Sequence, residues 1–360
     1  MAAFNLDYFT IPLKLKHDFT IARGTKTVVN NVLIKLEKDG FVGFGEAAPN
    51  KRYNENDAIV KRFLDQLDDD FWAKIDAPES LPKALDELIP QVYSAKTAVE
   101  MAYLDWWGKK MAQPLYRLWK APGNVGPVSS FTIGIDEPDS IVRKIEEAEE
   151  YPLLKIKLSG DSRKDRAIIE TIRKTTDKPV RVDVNEGWTD LEQAKTGIRY
   201  LADKNINLVE QPMPADNWQD LCDLKDFSPL PLCADEGFTG RESIPMIANA
   251  YPAINIKLMK TGSLLLSRNL IREAQENDLE IMIGCMIESS LADSASALLS
   301  LWADYADLDG HLLIENDDFD GLKLDHESRI TLPEDRSGLG VEPTEKWGDL
   351  KEKYAAKVAH

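Results

Sequence analysis

The sequence contains few cysteines and histidines, and their scarcity excludes several kinds of site. Among 360 residues there are four histidines and three cysteines, which are Cys222, Cys233 and Cys285. The cysteines are odd in number, widely spaced and form no C-x-x-C pair, so a disulfide framework and a zinc site are both disfavoured. Unpaired thiols are typical of a reducing compartment, and we therefore predict a cytoplasmic protein.

The chain also lacks long apolar segments and an excess of positive charge. No apolar stretch reaches ~18 residues, and no basic region followed by an apolar run opens the sequence, so neither a membrane span nor a signal peptide is predicted. The 44 lysines and arginines are outnumbered by 62 acids, which gives a net charge of −18. Binding to nucleic acid requires a basic surface that meets phosphates, so nucleic acid is not an expected partner. A homo-oligomer is compatible with the sequence.

Residues 1–120 combine a predicted hairpin with helical patterns and contain no repeat. Residues 32–37 and 41–46 are strand-like and flank a turn signal that contains glycine. Helical patterns follow at about 55–69 and 92–112, where apolar residues recur at steps of three and four. Strands followed by helices predict an α+β domain.

A different pattern begins at about residue 128, where short β-rich runs recur and most are followed by a helical stretch. The eight runs lie at residues 128–135, 153–158, 180–184, 208–210, 232–234, 254–258, 280–284 and 305–308. Strand, helix and strand at this spacing predict βαβ units with a parallel sheet. Eight such strands fit a (β/α) barrel better than the alternative, an open doubly wound sheet, and no G-x-G-x-x-G follows the first strand.

Acidic residues occur at the C-terminal ends of three consecutive predicted strands. These residues are Asp183, Glu210 and Asp235. In a (β/α) barrel the C-terminal strand ends converge on one mouth, where the chemistry takes place. Three carboxylates in register repel one another unless a cation lies among them, and oxygen ligands without cysteine or histidine favour Mg²⁺. For any one acid alone, a helix N-cap or a surface position is the alternative interpretation.

Lysines on two further strands are predicted to face the same mouth. Lys155 and Lys157 are two residues apart on a strand and therefore share a face. Lys257 lies four strands further round the barrel, on the opposite side. An amine near another amine and a metal cation has a lowered pKa and can act as a base near neutral pH. Two bases that flank one carbon would invert it, whereas solvated lysines at strand ends are the alternative interpretation.

Together, these motifs resemble the muconate-lactonizing branch of the enolase superfamily. The matching segments are Lys-Ile-Lys at 155–157, Asp-Val-Asn-Glu-Gly-Trp at 183–188, Val-Glu-Gln-Pro at 209–212, Ala-Asp-Glu at 234–236 and Asn-Ile-Lys-Leu at 255–258. The resemblance covers essentially the whole chain and implies an α/β fold. Residues 121–325 would form a (β/α)7β barrel, a modified TIM barrel. Residues 1–120 would form an α+β capping domain, to which residues 326–360 return.

The resemblance also implies roles for the residues at the mouth. Mg²⁺ would be bound by Asp183, Glu210 and Asp235. Lys157 and Lys257 would be the two acid/base catalysts, and Lys155 would support them electrostatically. The substrate would be bound by a wider set, which consists of Arg23, Arg52, Tyr53, Thr132, Asn185, Glu288, Asp307 and Asp309.

Weaker similarities narrow the reaction within this branch. Asp307-Leu308-Asp309 resembles the D-x-D signature of dipeptide epimerases, which binds the substrate's α-ammonium group. Residues 19–24 resemble the mobile lid loop of L-Ala-D/L-Glu epimerases, and residues 51–53 resemble their second specificity loop. An arginine from either loop would pair with an acidic side chain of the substrate. Glu288 resembles the residue after strand seven that helps to hold the substrate's carboxylate end.

We therefore expect an isomerase that epimerises a dipeptide, with L-Ala-D/L-Glu from peptidoglycan (murein) turnover as the expected substrate. The reaction would be a two-base 1,1-proton transfer through an enediolate whose charge is offset by Mg²⁺. The alternatives are o-succinylbenzoate synthase and muconate or chloromuconate cycloisomerase, which use the same lysines and metal. The D-x-D motif favours the epimerase, because the other substrates carry no ammonium group.

Two other classes are disfavoured, and two positions depart from the family pattern. A non-catalytic barrel would not require intact lysines and acids, and a histidine-based racemase would need a histidine at strand seven.

Residues 261–263 are Thr-Gly-Ser where Gly-Gly is more usual, and His311 stands where the family often has proline after the D-x-D motif. Neither departure removes a predicted catalytic group.

Overall fold

The computed structural model describes residues 4–358, with the backbone alone for residues 356–358. Residues 1–3 and 359–360, which belong to the predicted capping segments, lie outside the described residues. Within the described chain, no helix combines the length and the apolarity that a transmembrane span requires.

The N-terminal region begins with a three-stranded antiparallel sheet. Its strands are β1 (Asn5–Ile21), β2 (Gly24–Lys38) and β3 (Phe41–Ala47). The predicted hairpin is confirmed: β2 and β3 are joined by Asp39 and Gly40, whose φ angles of 55° and 80° match the favoured two-residue turn.

The first strand and the predicted lid loop differ from expectation. β1 was not predicted, because its register with β2 shifts between Lys14 and Phe19 and its outer half alternates poorly. Residues 19–24, predicted as a loop, form the tip of the β1–β2 hairpin, in which Ile21 pairs with Gly24. The predicted lid segment is therefore the paired end of the hairpin, held by backbone hydrogen bonds, and its role as a lid stays a prediction.

Helices cover one face of this sheet. They are α1 (Asp57–Leu64), α2 (Asp69–Trp72), α3 (Leu81–Leu88), α4 (Tyr93–Lys110) and α5 (Leu115–Leu118), with 3-10 turns at Lys51–Tyr53 and Pro78–Ser80. α4 lies so close to β3 that a Cβ atom on Gly43 or Gly45 would come within 2.0 Å of a backbone oxygen of the helix. The helix predicted at 55–69 ends earlier, because Asp68 caps the separate helix α2 by accepting from Phe71 N.

Residues 125–307 supply the strands of a barrel. After β4 (Val125–Val128), the barrel strands are β5 (Phe131–Ile133), β6 (Leu154–Lys157), β7 (Val180–Asp183), β8 (Ile206–Glu210), β9 (Leu232–Ala234), β10 (Ala253–Lys257), β11 (Glu280–Gly284) and β12 (Tyr305–Asp307). They pair in chain order and all pairs are parallel. A parallel bridge between Ser129 and Ala306 brings the first and last strands together and closes the ring.

Helical segments connect consecutive strands on the outside of the ring. They are α6 (Pro138–Glu147), α7 (Ser162–Thr175), α8 (Leu191–Ala202), α9 (Trp218–Phe227), α10 (Ile244–Ala250), α11 (Leu258–Thr261), α12 (Leu264–Glu276) and α13 (Ser290–Ser300). α11 and α12 share one connection, so seven helical connections join eight strands. β12 is followed by a 3-10 turn, Gly310–Leu313, instead of a helix. The predicted (β/α)7β architecture is confirmed.

The C-terminal segment returns to the N-terminal sheet. It contains β13 (Phe319–Asp320), β14 (Lys323–Leu324), β15 (Arg329–Thr331), β16 (Glu342–Pro343) and α14 (Trp347–Val358). The Trp347 ring lies 4.8 Å from that of Phe9 in β1, and Trp347 Nε1 donates to Asp7 at 2.9 Å. These contacts support the predicted return of residues 326–360, while the domain boundaries stay a prediction.

Candidate active site

Three buried acids meet at the C-terminal ends of β7, β8 and β9. Asp183 is the last residue of β7 and pairs in register with Glu210, the last residue of β8. Asp235 directly follows β9. One carboxylate oxygen from each residue lies within 4.8 Å of the other two. The structure thus brings together the three acids that the sequence placed one βα unit apart.

Lys155 lies among these acids in the interior of the barrel. Its Nζ is 2.6 Å from Glu210 Oε2, 2.6 Å from Asp307 Oδ2 and 3.5 Å from Asp183 Oδ2. Burial alone would lower the pKa of Lys155, but the charges of these carboxylates raise it well above its usual value. Lys155 is therefore a fixed positive charge beneath the mouth, as its predicted supporting role requires.

Lys157 and Lys257 flank the acids from the two sides. Lys157 Nζ lies 2.5 Å from Asp183 Oδ2, and Lys257 Nζ lies 2.9 Å from Asp235 Oδ2. The strands that carry the lysines, β6 and β10, are separated in the ring by β7, β8 and β9. Both amines face one cavity, and the acids lie on the arc between them.

Carboxylates dominate the surroundings of Lys257. Burial lowers its pKa and the Lys155 charge lowers it further, but the charges of Asp235 and Glu210, which face the amine directly, raise it well above the usual value. The lowered pKa that the sequence analysis expects beside a metal cation stays a prediction.

Two residues that the sequence analysis missed organise the β10 side. Lys260 Nζ lies 2.7 Å from Asp235 Oδ1 and also donates to the backbone oxygens of Asp235 and Asn255, at 2.5 and 3.1 Å. Asn255 Nδ2 donates to Glu210 Oε1 at 2.9 Å. Lys260 was missed because it lies on the short helix after β10, where no strand or helix period relates its amine to Asp235.

A cavity of about 990 Å³ lies above the acids, between the barrel mouth and the N-terminal region. Ten of the predicted site residues line it: Arg23, Arg52, Tyr53, Thr132, Lys157, Asn185, Asp235, Lys257, Asp307 and Asp309. The other four lie beneath its surface: Lys155, Asp183, Glu210 and Glu288. The structure therefore gathers the whole predicted set around one space, while the individual roles stay predictions.

The two predicted specificity arginines contact glutamates of the mouth. Arg23, at the hairpin tip, lies 2.5 Å from Glu236 Oε1 and donates to the backbone oxygen of Asn185 at 3.0 Å. Arg52 lies 2.7 Å from Glu186 Oε2. These ion pairs join the hairpin tip and the 51–53 turn to the loops after β7 and β9. Contact of either arginine with an acidic substrate stays a prediction.

Tyr53 and Asn185 complete this part of the cavity wall. Burial and the nearby charges of Asp235 and Glu236 raise the pKa of Tyr53, so its hydroxyl stays protonated. Asn185 donates from its backbone N to Asp183 Oδ1 at 2.9 Å. Its side chain donates to Glu236 Oε1 at 3.4 Å.

Asp307 and Asp309 form an acidic pair on the opposite wall. Ser130 Oγ donates to Asp307 Oδ1 at 2.8 Å, and Thr132 N donates to Asp309 Oδ2 at 2.5 Å. Burial would raise the pKa of Asp307, but Lys155 and Lys157 lower it to about 2. Burial and the Asp307 charge raise the pKa of Asp309 to about 7. The pair thus carries negative charge at neutral pH and suits a cationic ligand.

Glu288 is fully buried in the loop that follows β11. Its Oε1 accepts from Met286 N at 2.8 Å, and its Oε2 has no hydrogen-bond partner among the described residues. Burial, together with the charges of Asp293 and Glu46, raises its pKa well above the usual value. A protonated carboxyl group can donate a hydrogen bond, which is compatible with the predicted contact to a substrate carboxylate.

The donor set at the acids fits a hard divalent cation. Asp183, Glu210 and Asp235 supply buried carboxylate oxygens within 4.8 Å of one another, and oxygen donors are those that Mg²⁺ prefers. Glu236 Oε2, on the residue next to Asp235, is buried and has no hydrogen-bond partner in the described chain. The buried lysines partly balance this charge, and a cation would balance it further.

Two family models match the chain. The N-terminal domain of the mandelate racemase / muconate lactonizing enzyme family matches residues 6–119, and the enolase C-terminal domain-like family matches residues 140–347.

Individual proteins are similar over most of their length. The L-Ala-D/L-Glu epimerase of Bacteroides thetaiotaomicron is 37% identical over 337 residues, which cover 93% of this chain and 87% of that protein. The L-Ala-D/L-amino acid epimerase of Pedosphaera parvula is 39% identical over 325 residues, or 86% and 91% of the two chains. The dipeptide epimerase of Enterococcus faecalis, complexed with Mg and L-Leu-L-Tyr, has a TM-score of 0.85 at 28% identity and covers 95% of this chain and 100% of that one.

Proposed function

The chain belongs to the mandelate racemase / muconate lactonizing enzyme family of the enolase superfamily, and on that premise we propose that it is a Mg²⁺-dependent dipeptide epimerase acting on L-Ala-D/L-Glu. The observation that carries the proposal is the cavity in which Lys157 and Lys257 face each other across the acids, with Asp307 and Asp309 on one wall. Similar proteins are isomerases that act on dipeptides, which supports the same reaction class.

The acidic wall orients the substrate. A dipeptide has an ammonium group at one end and a carboxylate at the other. Asp307 and Asp309 attract the ammonium group, while the carboxylate end would lie toward the cation that the mouth acids hold and toward the protonated carboxyl of Glu288. The α-carbon next to that carboxylate then lies between Lys157 and Lys257.

The two lysines carry the proton transfers. The lysine on one side, in its neutral form, removes the α-proton, and the lysine on the other side, as an ammonium, returns a proton to the opposite face. When bound, Mg²⁺ would be held by Asp183, Glu210 and Asp235 and would supply the positive charge that offsets an enediolate and favours a neutral lysine. Lys155 adds a fixed positive charge beneath the same centre.

Basic side chains around the upper cavity support a preference for glutamate in the second position. Arg23, Lys26, Lys51 and Arg52 all line this space. Arg23 and Arg52 already form ion pairs with Glu236 and Glu186, so the preference for an anionic side chain rests mainly on Lys26 and Lys51. Opposite charges favour association in a partly enclosed site.

Proton exchange in D₂O tests the proposal. Incubation of the protein with Mg²⁺ and L-Ala-L-Glu should replace the α-proton of the glutamate residue by deuterium and produce L-Ala-D-Glu, both measured by ¹H NMR. Chelation with EDTA should stop exchange and added Mg²⁺ should restore it. The variant Lys83→Met, which alters an exposed lysine on α3, serves as a control and should behave as the parent does.

Different outcomes would contradict different parts of the proposal. Absence of exchange with every member of a dipeptide panel would overturn the epimerase assignment. Full activity after exhaustive chelation would overturn the metal dependence. Faster exchange of L-Ala-L-Leu than of L-Ala-L-Glu would overturn the preference for glutamate while leaving the reaction class intact.

A further inference from the structure

The backbone that follows the acidic pair is tightly confined. Gly310 comes directly after Asp309, and a Cβ atom at this position would lie 2.7 Å from Met286 O and 3.0 Å from Glu288 N. No larger residue fits there without displacing backbone. Because Gly310 is confined, we expect the position of Asp309 to depend on the contacts of His311, the residue after Gly310.

His311 is fixed by a single buried carboxylate. Its Nδ1 lies 2.7 Å from Asp293 Oδ2, and its backbone N donates to the same oxygen at 2.9 Å. Asp293 belongs to the first turn of α13 and is fully buried, and its Oδ1 has no hydrogen-bond partner among the described residues. Proline, the residue that the family often has at this position, has no N–H and could form neither contact.

The imidazole of His311 lies among acids. Asp293 of α13, Asp317 beyond the 3-10 turn and Asp309 at the end of β12 all face it. Burial lowers the pKa of His311, but the hydrogen bond and the charges of these acids raise it overall. Asp309 itself faces Asp307, whose charge opposes its ionisation, and Lys155, whose charge favours it. A protonated His311 therefore adds positive charge close to the second acid of the pair.

We propose that His311 is a positioning residue for the substrate's α-ammonium group, which through its contact with Asp293 holds the turn that carries Asp309. The inference rests on the proposed function, because it assigns the ammonium group to Asp307 and Asp309. His311 does not line the cavity, so it acts through its neighbours and not by touching substrate. Its removal should weaken binding of ligands that carry an ammonium group and leave the proton transfers unchanged.

Two variants separate the two parts of this role. His311→Ala removes both the side-chain contact and the charge, so Asp309 is no longer held toward the substrate's ammonium group. KM for L-Ala-L-Glu should rise about tenfold, as expected when one charge-assisted hydrogen bond to the substrate is lost, with kcat within about twofold of the parent. His311→Asn retains a donor to Asp293 but has no charge. Its KM should stay near the parent value at pH 8 and rise below pH 7, because Asp309 then protonates at a higher pH.

An ammonium-free ligand makes the test selective. N-acetyl-L-Ala-L-Glu has no ammonium group, so its inhibition constant should be the same for the parent and for both variants. His326→Asn makes the same chemical change at an exposed histidine and should alter neither KM nor the inhibition constant. Combining Asp293→Asn with His311→Ala should raise KM no further than His311→Ala alone, because both act through one contact.

The outcomes distinguish this inference from the proposed function. A parent enzyme that epimerises no dipeptide would overturn both. An active parent with an unchanged KM in His311→Ala, an equal loss in kcat, or an equal change in the inhibition constant of the acetylated ligand would overturn the role of His311 alone. If His311→Ala fails to fold, a KM for His311→Asn that has the pH profile of the parent would also overturn it.

Discussion

The β6 and β10 sides of the barrel mouth each contribute one lysine to the cavity and one to the layer beneath it. The cavity lysines, Lys157 and Lys257, are each 7% exposed, whereas the lysines beneath, Lys155 and Lys260, are each 1% exposed. On the β6 side both lysines come from one strand, two residues apart. On the β10 side the second lysine comes from α11, three residues after the strand ends.

The buried lysines differ in reach. Lys155 contacts carboxylates from β7, β8 and β12 and so crosses the interior of the barrel. Lys260 contacts one carboxylate, that of Asp235, together with backbone oxygens of its own neighbourhood. Lys155 therefore joins carboxylates from three strands, whereas Lys260 holds the carboxylate of Asp235. Lys157 and Lys257 are therefore similar in exposure, but the buried lysines beneath them contact different numbers of carboxylates.

The largest expected effect is the loss of inversion rate when either cavity lysine is removed, and it shows whether the two lysines are chemically equivalent. Lys157→Ala and Lys257→Ala should each lower the rate of inversion by about 10²- to 10⁴-fold, the usual contribution of a general acid or base. Each variant should still exchange the α-proton of one stereoisomer in D₂O, and the two variants should exchange opposite isomers. NMR of the separate L,L and L,D dipeptides measures both effects.

Two results would break this equivalence. Retained inversion in either variant would remove that lysine from the reaction. Exchange of the same isomer by both variants would place both lysines on one face of the substrate. Lys83→Met controls for the loss of a lysine at a distant exposed site.

The next largest effect is the loss of unfolding free energy when either buried lysine is replaced, which compares Lys155 with Lys260. Lys155→Met leaves the nearby carboxylates of Glu210 and Asp307 without their amine, and Lys260→Met leaves that of Asp235. Breaking a buried ion pair from one side costs about 3–5 kcal/mol of unfolding free energy. We expect Lys155→Met to be the more destabilising, as measured by urea unfolding in EDTA. Equal losses, or the reverse order, would contradict the unequal reach of the two lysines.

The smallest effect is a change of stability with pH caused by Glu100, a buried acid of the N-terminal region that contacts the start of α12. Glu100 of α4 accepts from Leu265 N at 2.9 Å, and burial raises its pKa from 4.5 to about 7. The folded protein therefore keeps this proton to a higher pH than the unfolded chain, so stability falls as pH rises from 4.5 to about 7. Glu100→Gln removes this titration.

Unfolding measured from pH 5 to pH 8 tests this expectation. The unfolding free energy of the parent should decline relative to that of Glu100→Gln by roughly 3 kcal/mol over this range. The corresponding acid on the β6 side, Asp165, accepts from Ser159 N and Gly160 N and also has a raised pKa. Asp165→Asn should change the profile with the same sign. Parallel pH profiles for parent and Glu100→Gln would exclude the titration of Glu100.

The sequence predicted the β6 side better than the β10 side for a physical reason. Lys155 and Lys157 follow the two-residue period of a strand, so their common direction can be inferred without knowing the fold. Asp183 and Glu210 likewise end strands whose spacing repeats. Lys260 lies on a short helix, and only the turn of the chain after β10 brings its amine back to Asp235. Local periodicity carries no information about such a return.

The hairpin tip was harder to predict for a related reason. Residues 19–24 were identified as a loop by their resemblance to a lid loop, and the pairing of Ile21 with Gly24 becomes visible only when both strands are present. Arg23 was predicted at the site, but its ion pair with Glu236 joins residues 213 positions apart. Spacing within one strand or helix cannot specify such a contact.

The contact between β1 and α14 has a consequence for how the protein is made. Asp7 is joined to Trp347, 340 residues later. During synthesis, the whole barrel emerges from the ribosome between β1 and α14. Contacts between segments so far apart in the chain form slowly. The packing of α14 on β1 is therefore expected to complete only after the barrel strands have been made.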